Sequence, residues 1–138
     1  MKSFTIDQLA SINEGEGFPA RFAVIGNPVA HSLSPQLHQP ALDELGEDSR
    51  YVRIEVEIGK VAEAFDKMFA AGFRGINVTV PHKREALAAC DEVDAAARSM
   101  GAVNTIVFDE QGKRTGFNTD GPGFARAIRE EFGVDLGD

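Results

Sequence analysis

Positive charge is scarce in this chain: 14 lysines and arginines face 22 aspartates and glutamates, a net charge of −8, with an isoelectric point near 4.8. Such a surface repels nucleic acid and anionic membranes, so neither is expected as a partner. An anionic small molecule would need a local positive site. Cysteine is scarcer still. Cys90 alone cannot form an internal disulfide, and it reads as a small buried hydrophobe. No uninterrupted apolar run is long enough to cross a membrane. The opening MKSFTIDQLASINEGEG has no secretory core of apolar residues, so a cytoplasmic location is the expectation. His31 and His38 have no neighbouring cluster of ligand residues, so no metal site is expected. No G-x-G-x-x-G stands between a strand and a helix, and the chain shows neither internal repeat nor low-complexity tract.

The 138 residues suit one domain with a real core, and 43% hydrophobic content is a globular value. Residues 1–20 read as an N-terminal extension with a turn or two of helix at Ile6–Ile12. From Arg21 the pattern is regular. RFAVIG reads as a buried strand ending in a glycine turn. Ser34-Pro35 opens a helix to about Leu45-Gly46, with Ser34 as its N-cap. YVRIEVE alternates like a strand, and Val61–Ala71 has helical spacing. Gly75–Val80 is a further strand, followed by helical segments at 81–89 and 93–100. Asn104–Phe108 and Arg114–Phe117 form a hairpin, and a last helix follows Asp120. Strands alternating with helices give an α/β domain with a mainly parallel open sheet, flanked by helices and carrying an antiparallel edge.

One stretch sets a puzzle. NVTVPHKR, residues 77–84, gathers His82, Lys83 and Arg84 where a helix begins. A helix N-terminus carries partial positive charge and disfavours cations by roughly 0.3–1 kcal/mol each. A carboxylate or anion nearby would compensate. Asn77 is also conspicuous, because asparagine is depleted in strands and ligands of open α/β sheets gather at strand C-terminal ends. Its plain alternative is a bond to a neighbouring loop. Between Gly26 and Pro35, GNPVAHSLSP places two serines and free backbone N–H groups at a helix start, a ready anion site. There Ser34 is explained as a cap and Ser32 is not. Asp120, in GFNTDG, would cap the last helix, and Asn104, in GAVNT, sits at a turn-to-strand junction; both have structural explanations.

The ordered set GNPVAHSLSP, GINVTVPHK, GAVNT and NTDGPGF resembles the substrate-binding domain of the shikimate dehydrogenase family, over about residues 21–132. The resemblance implies that Ser32 and Ser34 hold a substrate carboxylate, and that Asn77, Thr79, Asn104 and Asp120 contact ring hydroxyls. It implies Lys83 and Asp120 as the catalytic pair and places Asp94 beside a nicotinamide cofactor. Gln39-Pro40 and Pro122 depart from the usual pattern without touching a catalytic position. The implied domains are residues 21–120 as the shikimate-binding catalytic domain, and 121–138 as a helix leading toward a dinucleotide-binding domain absent from this chain.

The implied reaction is the reversible, NADP-dependent reduction of 3-dehydroshikimate to shikimate, in the route to chorismate and the aromatic amino acids. Lys83 would move the proton, with Asp120 as its partner. Cofactor binding would fall mainly to the absent domain, so this chain alone is expected to be inactive. A quinate/shikimate dehydrogenase is one alternative, and a stand-alone ligand-binding module without catalysis is another. The resemblance also admits a homodimer.

Overall fold

The β-branched run Val24-Ile25 and the alternation in Arg50–Glu55 and Gly75–Val78 favour pleated strands, while Val61, Ala64, Phe65 and Met68 share one helical stripe. A computed structural model describes residues 3–15 and 17–120. In chain order it contains β1 (Ser3–Thr5), a 3₁₀ segment (Ile6–Ser11), β2 (Ala20–Gly26), α1 (Ser34–Glu44), β3 (Arg50–Glu55) and α2 (Val61–Ala70). There follow β4 (Gly75–Val78), α3 (Lys83–Ala88), β5 (Glu92–Val93), α4 (Ala95–Met100), β6 (Thr105–Phe108) and β7 (Arg114–Phe117). The helix expected after Asp120 lies outside the described residues.

One sheet takes all seven strands in the order β1-β3-β2-β4-β6-β7-β5. The pairs β1–β3, β2–β3, β2–β4 and β5–β7 are parallel. Antiparallel pairing is confined to β6, which lies between β4 and β7 rather than at an edge. This differs from the expected antiparallel edge, because a short hairpin places β6 and β7 side by side and β5 then extends the sheet beyond them. Reversing only β6 has a further effect. The start of β6 lies beside the ends of β4 and β7, so residues 104–105 and 118–120 reach the same end of the sheet as residues 26–34 and 77–83.

The expected extension also contributes to the domain. β1 pairs with β3, Leu9 is buried, and the Asn13 side chain ties the segment in. Its Oδ1 accepts from Ala20 N–H at 2.7 Å and its Nδ2 donates to Ala71 O at 2.9 Å. A three-residue strand is too short to show a period, so the sequence pattern could not announce it. The 3₁₀ turn beyond it carries a capping box, with Thr5 N–H donating to Gln8 Oε1 at 2.8 Å.

The core is closed by α2 and α3. Phe65, Met68 and Ala86 are wholly buried there against Ile25, Ile54, Ile76 and Ile106 from four strands. No side chain of its own caps α2. Glu85 of α3 does so instead, accepting from Gly59 N–H at 2.9 Å and Val61 N–H at 3.0 Å. On the opposite face α1 lies over Val24, Val29 and Tyr51. Helix α1 continues through Pro40, and Gln39 pins it to the sheet. Gln39 Oε1 accepts from Tyr51 N–H at 2.7 Å, and Nε2 donates to Ser49 O at 2.9 Å. Cys90 is half-buried. Its Sγ lies 3.2 Å from Ala86 O, and burial pushes the thiol up to about 11 against the opposing Arg114 charge.

Candidate active site

The cluster of cations at residues 82–84 resolves into three environments. His82 is fully buried at the N-cap of α3, with Nε2 2.6 Å from Val56 O. Arg84 is exposed at the surface of the same turn, while Lys83 begins α3 and its Nζ donates to Asp120 Oδ2 at 2.7 Å. A carboxylate therefore does compensate the cation at this helix start. The Lys83 hydrogen bond, and secondarily its charge and a hydrogen bond from Asn104, hold the Asp120 carboxyl below its ordinary value; partial burial opposes them.

Asp120 is placed by a local turn in which its N–H donates to Asn118 Oδ1 at 2.8 Å. Asn118 is buried and donates through Nδ2 to Ala102 O at 3.0 Å, bracing the turn against the loop before β6. The same loop is tied to α3 by Val103 N–H, which donates to Lys83 O at 3.0 Å. Both members of the pair thus hang on one short stretch of backbone.

Asn104 stands between them and the sheet. Its Oδ1 accepts from Thr105 Oγ1 at 3.0 Å and from Thr119 N–H at 3.1 Å, while its Nδ2 donates to Thr119 Oγ1 at 2.9 Å. Thr105 Oγ1 lies 3.4 Å from Asn77 Nδ2, and Asn77 Oδ1 accepts from the Tyr51 hydroxyl at 2.5 Å. A continuous chain of polar side chains therefore crosses β3, β4 and β6. Asn77 bonds the side chains of Thr105 on the adjacent β6 and of Tyr51 on β3, across β2, not the backbone of a loop. The Tyr51 phenol is held well above its ordinary value by burial, with the Ser34 hydroxyl acting against that shift. Its ring stacks on His38, centroids 5.0 Å apart.

The strand expected to reach Val80 ends at Val78: Thr79 N–H still donates to Ile25 O at 3.0 Å, completing the pairing with β2, and the chain then turns, with His82 N–H donating to Thr79 O at 3.1 Å. Thr79 packs where Gly26 has no side chain. A Cβ at residue 26 would stand 2.6 Å from Thr79 Cγ2, so glycine is required for the threonine to fit.

At the second serine-bearing loop the two assigned roles change places. Leu33, not Ser34, occupies the N-cap position of α1, and no side chain caps the helix from there; Ser34 is its first residue. Ser32 Oγ instead accepts from Ser34 N–H at 3.2 Å. Pro35 then falls at the second helical position, where its missing N–H removes no helical bond. Behind the loop, Arg53 is 3% exposed and donates through Nε to Ser32 O at 2.9 Å, and through Nη2 to the same oxygen and to Gln36 Oε1 at 3.0 Å.

Asp94 lies apart from this network. It is the N-cap of α4, where Oδ1 accepts from Ala97 N–H at 2.8 Å, and its own N–H donates to Gly116 O at 2.9 Å. The helix reading of 93–100 accordingly gives way to β5 and then α4, separated by this cap. The structure therefore brings Lys83, Asp120, Asn104 and Asn77 into one bonded chain and sets Ser32, Ser34 and Thr79 at the same sheet end; Asp94, just past β5, reaches that end too, on the cap of α4 and outside the bonded chain. Sequence reasoning missed Tyr51, Arg53, Thr105 and Thr119. Arg53 had one visible signal: a charged residue between two apolar ones, Val52 and Ile54, in mid-strand.

A hydroxyl- and amide-rich end of a sheet with an adjoining lysine–carboxylate pair is suited to a polyhydroxylated ligand and proton transfer. The family model described as the shikimate dehydrogenase substrate binding domain matches residues 24–106. The shikimate dehydrogenase (NADP(+)) of Geobacillus sp. (strain WCH70) is 44% identical over 115 residues, covering 83% of this chain and 41% of that enzyme. The crystal structure of shikimate dehydrogenase from Aquifex aeolicus aligns with a TM-score of 0.77 at 36% identity, covering 83% of this chain and 43% of that one. The Thermus thermophilus enzyme in complex with NADP(H) and shikimate aligns with a TM-score of 0.73 at 43% identity, over 85% and 44% of the two chains. The chain spans about two fifths of the length of the curated relatives it matches. Fold and sequence agree, and the chain belongs to the family of shikimate dehydrogenase substrate-binding domains.

Proposed function

We propose that this chain is the substrate-binding part of an NADP-dependent shikimate dehydrogenase, interconverting 3-dehydroshikimate and shikimate. The observation that carries the reading is the 2.7 Å Lys83–Asp120 pair at the end of the polar chain through Asn104 and Asn77. Ser32 and Ser34 receive the carboxylate, and Asn77, Thr79, Asn104 and Asp120 receive ring hydroxyls. NADPH, held mainly by a domain outside this chain, would supply the hydride in reduction, and NADP⁺ would accept it in oxidation. In reduction, the Lys83 ammonium gives its proton to the substrate oxygen as that oxygen gains negative charge; in oxidation the amine takes it back. Asp120 orients the ammonium and stabilises it. The donors present, hydroxyls and carboxamides with one ammonium, fit a hydroxylated ring acid. Asp94, whose Oδ1 caps α4, is the residue here assigned to the cofactor. With a single cysteine and no disulfide to form, the cytoplasm is the proposed compartment.

Two measurements test the proposal. Adding shikimate and NADP⁺ to the full-length protein should produce NADPH, and calorimetry should detect shikimate binding that Ser32→Ala weakens. Absence of both turnover and shikimate binding would overturn it.

A further inference from the structure

Tyr51 and Asn77 meet on the α1 side of the sheet, the phenol reaching from β3 across β2 to a strand it does not pair with. Its hydroxyl donates to Asn77 Oδ1 at 2.5 Å, and its ring stacks on His38. The residue is 5% exposed. A buried phenol has to find a hydrogen-bond partner, and this one finds it in a side chain at the ligand end of the sheet.

One backbone group sets the direction of every bond in the polar chain. A peptide N–H only donates, so the Thr119 N–H, 3.1 Å from the Asn104 side chain, requires the carboxamide oxygen there. That oxygen cannot donate, so the Thr105 hydroxyl, 3.0 Å away, spends its only proton on it. Thr105 Oγ1 is left as an acceptor, and Asn77 must turn Nδ2 toward it, at 3.4 Å. Asn77 Oδ1 then faces Tyr51, whose hydroxyl must donate. Burial holds the phenol well above its ordinary value, so that proton stays in place at working pH.

The Asn77 carboxamide is thus gripped from both sides in one of its two orientations. The bond to Thr105 is long and the bond from Tyr51 short, so the phenol is the firmer hold. Asn77 is half-buried, and among the described residues nothing accepts its second N–H. Turned over, the same side chain would offer a ligand an acceptor in place of that donor.

We infer that Tyr51 is a positioning residue of the dehydrogenase site: its buried hydroxyl locks the Asn77 carboxamide so that Asn77 meets a ring hydroxyl of the substrate as an N–H donor. The inference rests on the functional reading above, which takes Asn77 as a contact for a ring hydroxyl. Tyr51 acts through Asn77 rather than by touching the substrate. The Ser34 hydroxyl also bonds the phenol, so the test has to separate the two routes.

KM and kcat for shikimate are measured in the full-length enzyme for wild type, Tyr51→Phe, Thr105→Val, Asn77→Ala, and the two doubles that combine Asn77→Ala with each of the others. Tyr51→Phe keeps the ring and removes one oxygen. It should raise KM about 3- to 10-fold, the range for one lost hydrogen bond. Its kcat should stay within about threefold, because Lys83 and Asp120 are untouched. Asn77→Ala should raise KM about 10-fold or more. Tyr51→Phe/Asn77→Ala should lie within about twofold of Asn77→Ala alone, because without the carboxamide the phenol has nothing to orient. A merely structural loss, or one carried by Ser34, would persist at full size in that background. Thr105→Val releases the other side of the carboxamide without touching Ser34. It should show the same non-additivity after a smaller rise in KM, about two- to fivefold, and keeps the test open should Tyr51→Phe fail to fold. Additive losses in the Tyr51 cycle, or in the Thr105 cycle should the phenylalanine variant not fold, would overturn the role of Tyr51 while leaving the dehydrogenase reading intact. So would a shikimate KM unchanged by Tyr51→Phe or by Asn77→Ala. A wild-type enzyme that neither binds nor turns over shikimate would overturn both.

Discussion

Val52 and Ile54 of β3 enter the layer closed by α2 and α3, whereas Tyr51 and Arg53 of the same strand carry a hydroxyl and a guanidinium to the α1 side. The same division runs through β4, where Ile76 and Val78 enter the core and Asn77 bonds Tyr51 and Thr105. The first face packs side chains to near-complete burial. The second leaves a cavity of about 260 Å³ beside Phe22, Leu42, Tyr51 and Asn77. Alternation along a strand thus lets one backbone segment support two separable properties. Cohesion resides on one side, and the positioning of polar groups on the other.

The separation can be broken most sharply at the ion pair. Lys83→Ala or Asp120→Ala in the full-length enzyme should lower kcat by roughly 10²–10⁴. The double variant should be little worse than the poorer single, because the two act as one unit. Melting temperature should hold for Lys83→Ala. Fully additive losses would separate the two residues, and wild-type kcat in Lys83→Ala would remove the proton-transfer role.

Phe65→Ala supplies the opposite case. Phe65 is wholly buried under the core face, so its truncation should cost about 3–5 kcal/mol of stability in urea unfolding. KM of the protein that remains folded should not change. A shift in KM as large as the loss of stability would show that the faces are coupled.

The serine loop sharpens the contrast at smaller scale. Ser32 accepts the Ser34 N–H, so Ser32→Ala should cost about 0.5–2 kcal/mol of stability, as a lost cap does, and raise KM as well. Ser34 caps nothing, so Ser34→Ala should raise KM with stability nearly unchanged. The reverse ranking in thermal melts would return the cap to Ser34.

The smallest effect is expected from pH. The Asp120 carboxyl is held below its usual 3.8, chiefly by the Lys83 hydrogen bond. A depressed carboxylate adds stability that is complete above the unfolded-state value and is lost as pH falls through the lower folded value. Because the aspartate side chain is 53% exposed, solvent reduces that contribution. Urea midpoints of wild type and Asp120→Asn should therefore differ slightly at about pH 6, and the gap should close as pH falls below the usual aspartate value. A gap that widens on acidification would reverse the sign.

What the sequence made legible followed strong periodicity. Val61–Ala71 was expected as a helix and α2 is Val61–Ala70; the hairpin expected at 104–108 and 114–117 appears as Thr105–Phe108 and Arg114–Phe117. The compensating carboxylate expected near Lys83 is Asp120, 37 residues away. Features set by tertiary contacts were illegible. β1 has too few residues for a pattern, and the interior place of β6 depends on which strands pair. Ser34 became the first helical residue and Leu33 the cap position, a one-residue difference in where the backbone turns helical that side-chain preferences alone do not fix. Tyr51 and Thr105 were hidden for another reason: in a strand they are ordinary residues, and only their neighbours give them a task.

The hairpin turn has a practical consequence. Since β6 starts and β7 ends beside Asn104 and Asp120, the turn at residues 109–112 projects from the far end of the sheet. Gly112 there holds φ at +84°, and a Cβ would stand 3.0 Å from the Phe69 ring, so a substitution at that position would be strained. Glu110 and Gln111 are exposed. A fluorophore or affinity tag introduced between these two residues would report on the folded domain from its remote pole, leaving the ligand end free.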